Sequence, residues 1–421
     1  DILEVRVNSV DGTMRFWLLF VFLLSVHFAQ TYKVLVYSPT ASASQSINNF
    51  LGNIADTLVE AGHDVTTLIP LFDPNVRVGT SKSAKIYIQP NEAVKKITDD
   101  FNSNEVDLFD HDVFDVIGKV AFGQFFGEFC AVQCKAVLEE TKLIERLTAE
   151  KYDVMIVETL DPCGPALSHV IQPKALITTA GEMPFGSMTE EFGVDRAFSY
   201  NPNIMLTYVD VHSFRSRLTN LYAALVDYLE WRETRSQINA LFHDRFEEFP
   251  GVTEIISRAA YTFINSEPLV DFAAPMLNRI HYIGGIGAKE PNKLDENLDR
   301  LLNLRNKTVL ISFGSIIPTH MLPPEVKQTI VEVVSRFPEV TFIWKYETVE
   351  DDFAQSVLSS TPNLHMMKWT PQNDLLADER VTAFITHGGM GSTQETLLRG
   401  KPGLFIPFMG DQPRNAGMME K

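Results

Sequence analysis

The chain predicts an α/β fold of two Rossmann-like units facing each other across a cleft. Three observations predict it. The first half opens as strand, helix, strand, because the apolar run Lys33–Tyr37 is followed by Ile47, Phe50, Leu51, Ile54 and Leu58 at helical spacing and then by His63–Ile69. A second apolar run, Thr308–Ser315, restarts the pattern after a polar stretch. Near the end, the buried-strand run Ala383–Thr386 meets a glycine turn and then a helix, as at a strand end of a doubly wound sheet.

In chain order, Met14-Arg15 precedes an almost unbroken apolar run of 14 residues, Phe16 to Ala29. That run is too short to span a bilayer and suits a signal-peptide core, so 14–29 reads as a signal peptide and 1–13 as an upstream extension or artefact. Residues 30–286 read as an N-terminal domain, in which Gly62 caps the first helix. Cys134 to Lys151 reads as one helix and Asp153 to Glu158 as a buried strand. Met205 to Arg245 holds no proline or glycine, and Phe214, Leu218, Leu221, Leu225 and Tyr228 recur every three or four residues. A long amphipathic helix with that stripe toward the core is expected. The run 287–306 reads as a linker, and 307–421 as a second, incomplete domain with strands at Thr308–Ser315, Thr341–Trp344, Ala383–Thr386 and Pro402–Pro407.

Composition narrows the function. At 45% hydrophobic and 21% charged, the 421 residues are globular. A net charge of -18 argues against nucleic acid as a partner. It also requires local dipoles rather than a general positive field to hold any anionic ligand. Three cysteines are too few for a disulfide framework; a Cys134–Cys163 bridge and an unpaired buried thiol both remain open. The sequon Asn306-Lys307-Thr308 permits glycosylation in a lumen or stands unmodified beside a strand. Self-association is left open.

The chemistry concentrates in 44 residues: Trp369-Thr-Pro-Gln372, His387-Gly-Gly-Met-Gly-Ser392-Thr-Gln-Glu395 and Asp411-Gln412. The turn through Gly389 and Gly391 lies between a strand end and a helix start, where free backbone N–H groups and the helix dipole favour an anion. Ser392 to Glu395 carries a capping-box pattern, and Gly400 ends the helix. Gly314-Ser315 is a second candidate phosphate cradle. No G-x-G-x-x-G follows the first strand, which argues against a nicotinamide-dependent enzyme.

This constellation resembles the signature of the UDP-glycosyltransferases, the family that includes the animal UDP-glucuronosyltransferases. The resemblance implies the two-domain GT-B architecture, with 30–286 binding the acceptor, 307–421 binding the UDP-sugar and both sites facing the cleft between them. It implies UDP-glucuronate or UDP-glucose as co-substrate, with no tightly bound cofactor and no metal. Hexose transfer to a small lipophilic acceptor, with inversion, would follow. By the same resemblance Trp369 stacks on uracil, and Gln372 bonds uracil or ribose. His387 and Ser392 meet the diphosphate, Glu395 accepts the ribose hydroxyls, and Asp411 and Gln412 read the sugar. Many members carry Asn where this chain has Gly391. Arg414 is near in sequence to that sugar-reading pair, as a cation for glucuronate would be. Members usually end in a membrane helix, so Lys421 reads as a truncation of a protein anchored in the endoplasmic reticulum membrane and facing its lumen. The long helix would flank the acceptor pocket and touch the membrane.

One part is missing. Animal members place a basic histidine after the first strand, and counting back from Gly62-His63-Asp64-Val65 without gaps puts Ile47 there. Its orienting acid corresponds to Glu158. The acceptor is then an amine or acidic phenol needing little base, or Glu158 or His111 serves as base. Otherwise the protein binds donor and acceptor without fast turnover.

Overall fold

The computed structural model describes residues 31–40, 44–73, 76–103, 115–181, 191–195, 197–288, 290–314 and 319–421. The runs 1–13 and 14–29, His111 and Ser315 lie outside them. In chain order the first unit runs β1 (Lys33–Tyr37), α1 (Gln45–Glu60), β2 (Asp64–Pro70), β3 (Ala84–Ile88), α2 (Glu92–Ser103), α3 (Val116–Glu139), α4 (Thr141–Ala149), β4 (Val154–Glu158), α5 (Cys163–Ile171), β5 (Ala175–Ala180), α6 (Phe214–His243), α7 (Val252–Ser257), β6 (Tyr261–Ile264) and β7 (Ile280–Tyr282). The second runs α8 (Glu296–Leu302), β8 (Thr308–Ser312), α9 (Pro324–Ser335), β9 (Thr341–Lys345), α10 (Asp352–Ser360), β10 (Leu364–Met367), α11 (Gln372–Ala377), β11 (Val381–Thr386), α12 (Met390–Arg399), β12 (Gly403–Phe405) and α13 (Gln412–Glu420).

The strands form two sheets, ordered β3-β2-β1-β4-β5-β6-β7 and β10-β9-β8-β11-β12. Every pairing is parallel. The strands are short Val/Ile/Leu-rich runs because helices cover both faces. Strand order reverses between β1 and β4 in the first sheet and between β8 and β11 in the second. Loops diverge there and open a crevice at the carboxyl edge.

Several expectations need correction. The helix expected over Cys134–Lys151 is two helices, because Glu140 leaves the helical region at ψ 56°. The stripe of α6 expected to face the core faces outward: Phe214 is 72% exposed and Leu225 55%. The face of α6 that packs is built from Asn220, Ala223, Ala224, Asp227, Trp231, Thr234 and Ile238, set against α3. The presumed linker carries α8, capped by Asp295, whose Leu298 and Leu302 join the core of the second unit. Cys134 and Cys163 form a disulfide that ties α3 to α5, and Cys130 is a free buried thiol. Among the described residues no helix is long and apolar enough to cross a membrane.

The two units touch through α13. Arg414, 3% exposed, donates to Asp271 at 2.7 Å and to Asn201 at 3.3 Å. Asp271 also accepts from Ser266 at 2.5 Å.

Candidate functional site

The carboxyl edge of the second sheet collects most of the expected residues. The His387 ring follows β11 and is packed between two glycines. A Cβ on Gly314 would lie 2.7 Å from that ring and one on Gly389 2.6 Å, so no larger residue fits at either place. Gly314 also has φ +81°, which other residues avoid. Burial pushes the His387 imidazole down to about 4, with the Lys345 ammonium adding to it. The ring is therefore neutral at neutral pH and offers a hydrogen bond without charge.

The α12 helix begins at Met390, with Gly389 as its cap and no side-chain cap. Its first internal bond is Thr393 N to Gly389 O at 3.0 Å, which leaves the N–H groups of Met390, Gly391 and Ser392 outside the helical ladder. The expected capping box is absent because Ser392 lies inside the first turn. Gln372 bonds Ser392 Oγ at 3.0 Å and Glu395 Oε2 at 2.6 Å through Nε2. Both of its amide N–H groups are thus engaged, and its carbonyl is left for a ligand. Burial raises the Glu395 carboxyl, and the Gln372 bond works against that. Gly391 is exposed, and a Cβ there would meet nothing within 4 Å.

Trp369 follows β10 and is 55% exposed, as a stacking platform must be. Two cations share it, the Arg77 guanidinium 4.7 Å and the Lys345 ammonium 5.9 Å from the ring centre. Asn415 joins Asp411 to the glycine turn, donating to Asp411 Oδ2 at 2.5 Å and Gly388 O at 2.9 Å. Gln412 uses its carbonyl to hold Phe408 N and Met409 N at 2.8 and 3.0 Å, so only its amide N–H groups remain. Arg414, near in sequence, is committed to Asp271 and is not the cation beside this pair.

Glu158 ends β4 at the crevice of the first sheet and is 5% exposed. It accepts from Thr179 Oγ1 at 2.6 Å and Gly181 N at 3.2 Å. Burial nevertheless pushes its carboxyl up to about 7. Ile47 and Glu158 both border Gly181: a Cβ there would be 3.5 Å from Ile47 Cγ1 and 3.9 Å from Glu158 Oε2. Gly181 O accepts from Asn265 Nδ2 at 3.1 Å, and Asn265 O accepts from Gln394 Nε2 of α12 at 3.4 Å. This hydrogen-bond path joins the carboxylate to the helix at the other sheet's edge.

Sequence reasoning missed Arg77, Lys345 and Asn415. Lys345 had a signal, since it closes a strand of a doubly wound sheet; Arg77 had none.

Residues 32–421 match the family model described as UDP-glucoronosyl and UDP-glucosyl transferase. The chain is 28% identical over 407 residues to the putative UDP-glucuronosyltransferase ugt-48 of Caenorhabditis elegans, covering 95% of this chain and 76% of that protein. It is 28% identical over 418 residues to UDP-glucuronosyltransferase 3A2 of Mus musculus, covering 96% and 76%. Among solved structures it is similar to the glycotransferase of kitacinnamycin, with TM-score 0.60 and 17% identity over 93% of this chain and 84% of that one. It also resembles Os79 from O. sativa, with TM-score 0.57 and 14% identity over 92% and 84%. These likenesses are of fold, the GT-B glycosyltransferase arrangement of two parallel sheets. The family match runs through both sheets and every edge described above, so the chain belongs to the UDP-glycosyltransferases, enzymes that transfer a sugar from a UDP-sugar donor.

Proposed function

We propose that the protein moves glucuronate or another hexose from a UDP-sugar to a small lipophilic acceptor, with inversion and without a metal ion. One observation carries this reading. Trp369, neutral His387 and the open helix end at Met390 stand at the carboxyl edge of one sheet. Glu158 stands at that edge of the other, joined to α12 through Gly181, Asn265 and Gln394.

In this reading uracil stacks on Trp369, Glu395 accepts the ribose hydroxyls, and Asp411 with the Gln412 amide reads the sugar. The Gln372 carbonyl takes a uracil or ribose donor. The diphosphate lies on the α12 N-terminus beside His387, where backbone N–H groups stabilise anionic oxygens. The acceptor oxygen bonds to the anomeric carbon as the bond to UDP breaks, and UDP leaves with the electron pair. The acceptor proton goes to Glu158, whose carboxyl near 7 is matched to a base working at neutral pH. Ile47 supplies no proton acceptor. A phenol, whose proton is already acidic, is therefore the favoured acceptor class. Lumenal residence with a membrane anchor belongs to the same proposal, and the Cys134–Cys163 bridge supports an oxidising compartment.

The test is UDP release in microsomes, with UDP-glucuronate and UDP-glucose offered against one phenol and one aromatic amine. Acceptor-dependent release with the phenol is expected. Ile47→His should raise kcat by about tenfold or more, because it brings a basic imidazole to the surroundings of Gly181, which Glu158 also borders. UDP binding without acceptor-dependent release would instead favour a non-catalytic or slow binding protein, the reading suggested by Ile47.

A further inference from the structure

Among the described residues of the donor edge, the roles above leave the buried cation Lys345 unassigned. Lys345 closes β9, between the strand ends that carry Gly314 and Trp369. Its side chain is 7% exposed. The ammonium donates to Gly314 O at 2.7 Å and to Glu347 Oε1 at 2.7 Å. Its Nζ is 5.9 Å from the centre of the Trp369 ring. Gly314, which it holds, is the residue in contact with the His387 ring. The ammonium therefore lies among the elements that place the nucleobase platform and the phosphate histidine.

We propose that Lys345 supplies the formal positive charge that binds the diphosphate of the nucleoside-diphosphate donor, with its third N–H given to a phosphate oxygen. The inference rests on the donor reading above and deepens it. An ammonium carries three N–H donors, and Gly314 and Glu347 take two. His387 is neutral at working pH, so it cannot balance a diphosphate. Glu347 is the more exposed partner, at 27%, and also accepts from Thr319 N at 2.7 Å. It holds Lys345 in place and competes with the ligand for its charge. A charge already surrounded by protein acts on a neighbouring anion with less screening than a surface lysine.

Binding of UDP and of uridine to the purified protein, measured by titration calorimetry, tests this. Lys345→Met should weaken UDP by about ten- to a hundredfold, the range for a lost charge-assisted hydrogen bond, and leave uridine within about twofold. Lys345→Arg should retain most of the UDP affinity. Glu347→Gln keeps an acceptor for Thr319 N but removes the competing charge, so it should tighten UDP. Equal weakening of UDP and uridine in Lys345→Met and Glu347→Gln alike would overturn the proposal and leave the pair a structural clip. Unchanged UDP affinity in Lys345→Met would overturn it as well. If the unaltered protein binds neither ligand, the donor reading itself fails, and that outcome is distinct from the other two.

Discussion

Glu158 carries opposite consequences for catalysis and for stability. As a base it works only when ionised, so kcat/KM should rise as pH climbs through about 7. Glu158→Gln should flatten that limb and lower kcat by about a hundred- to ten-thousandfold, checked by initial rates between pH 5.5 and 8.5. Stability runs the other way. The folded carboxyl, near 7, lies above its ordinary value of 4.5, so the native state holds the proton more tightly. The associated stabilisation is complete below 4.5 and is lost as pH rises through 7, roughly 3 kcal/mol for such a shift. Thermal unfolding should therefore show Glu158→Gln gaining on the unaltered protein from pH 5 to pH 8. A variant that gains nothing at pH 8 would refute the burial account. The strand-end positions of His387 and Trp369 were legible through the spacing of the run they share, and that of Glu158 through the resemblance of its strand. Arg77 was not, because a loop crossing brings it to the site, and the strand-end position of Lys345 gains its meaning only from the sheet order.

At the scale of elements, α6 shows what periodicity does and does not settle. The recurrence of Phe214, Leu218, Leu221, Leu225 and Tyr228 correctly signals a helix. It misleads about the buried face because packing selects for shape as well as for hydrophobicity. Along α3, a Cβ at Gly123 would lie 2.4 Å from Glu230 O and one at Gly127 2.9 Å from Thr234 O. The two helices thus approach backbone to backbone at the glycines of α3. Gly123→Leu should consequently cost several kcal/mol, as overpacking of a tight seam does. Leu218→Gln and Leu225→Gln should each stay within about 0.5 kcal/mol by denaturant unfolding. A large loss from Leu225→Gln would mean that the stripe is covered. The strands were easier to read, since parallel sheets buried on both faces leave plain apolar runs.

For the whole molecule, the Arg414–Asp271 pair is a buried ionic contact between the units. Both side chains are almost fully buried, at 3% and 1% exposure. Arg414→Met should destabilise by about 3–5 kcal/mol, because it strands a buried carboxylate. Adding Asp271→Leu should recover much of that loss, and a double-mutant cycle measures the recovery. Equal losses in the single and double variants would show that the pair is not coupled. Two Rossmann-like units could be foreseen from their repeated strand–helix starts. The α13 docking could not, since it depends on residues 143 apart in the chain.

The Arg77–Trp369 stack crosses the same seam. Of the tryptophans among the described residues, Trp231 is 6% exposed, Trp344 0% and Trp369 55%. The indole at the crossing is thus the one whose emission responds to quenchers and to whatever lies on its face. A base arriving or a guanidinium departing changes that light, so the protein carries an optical label of its own where its two halves meet.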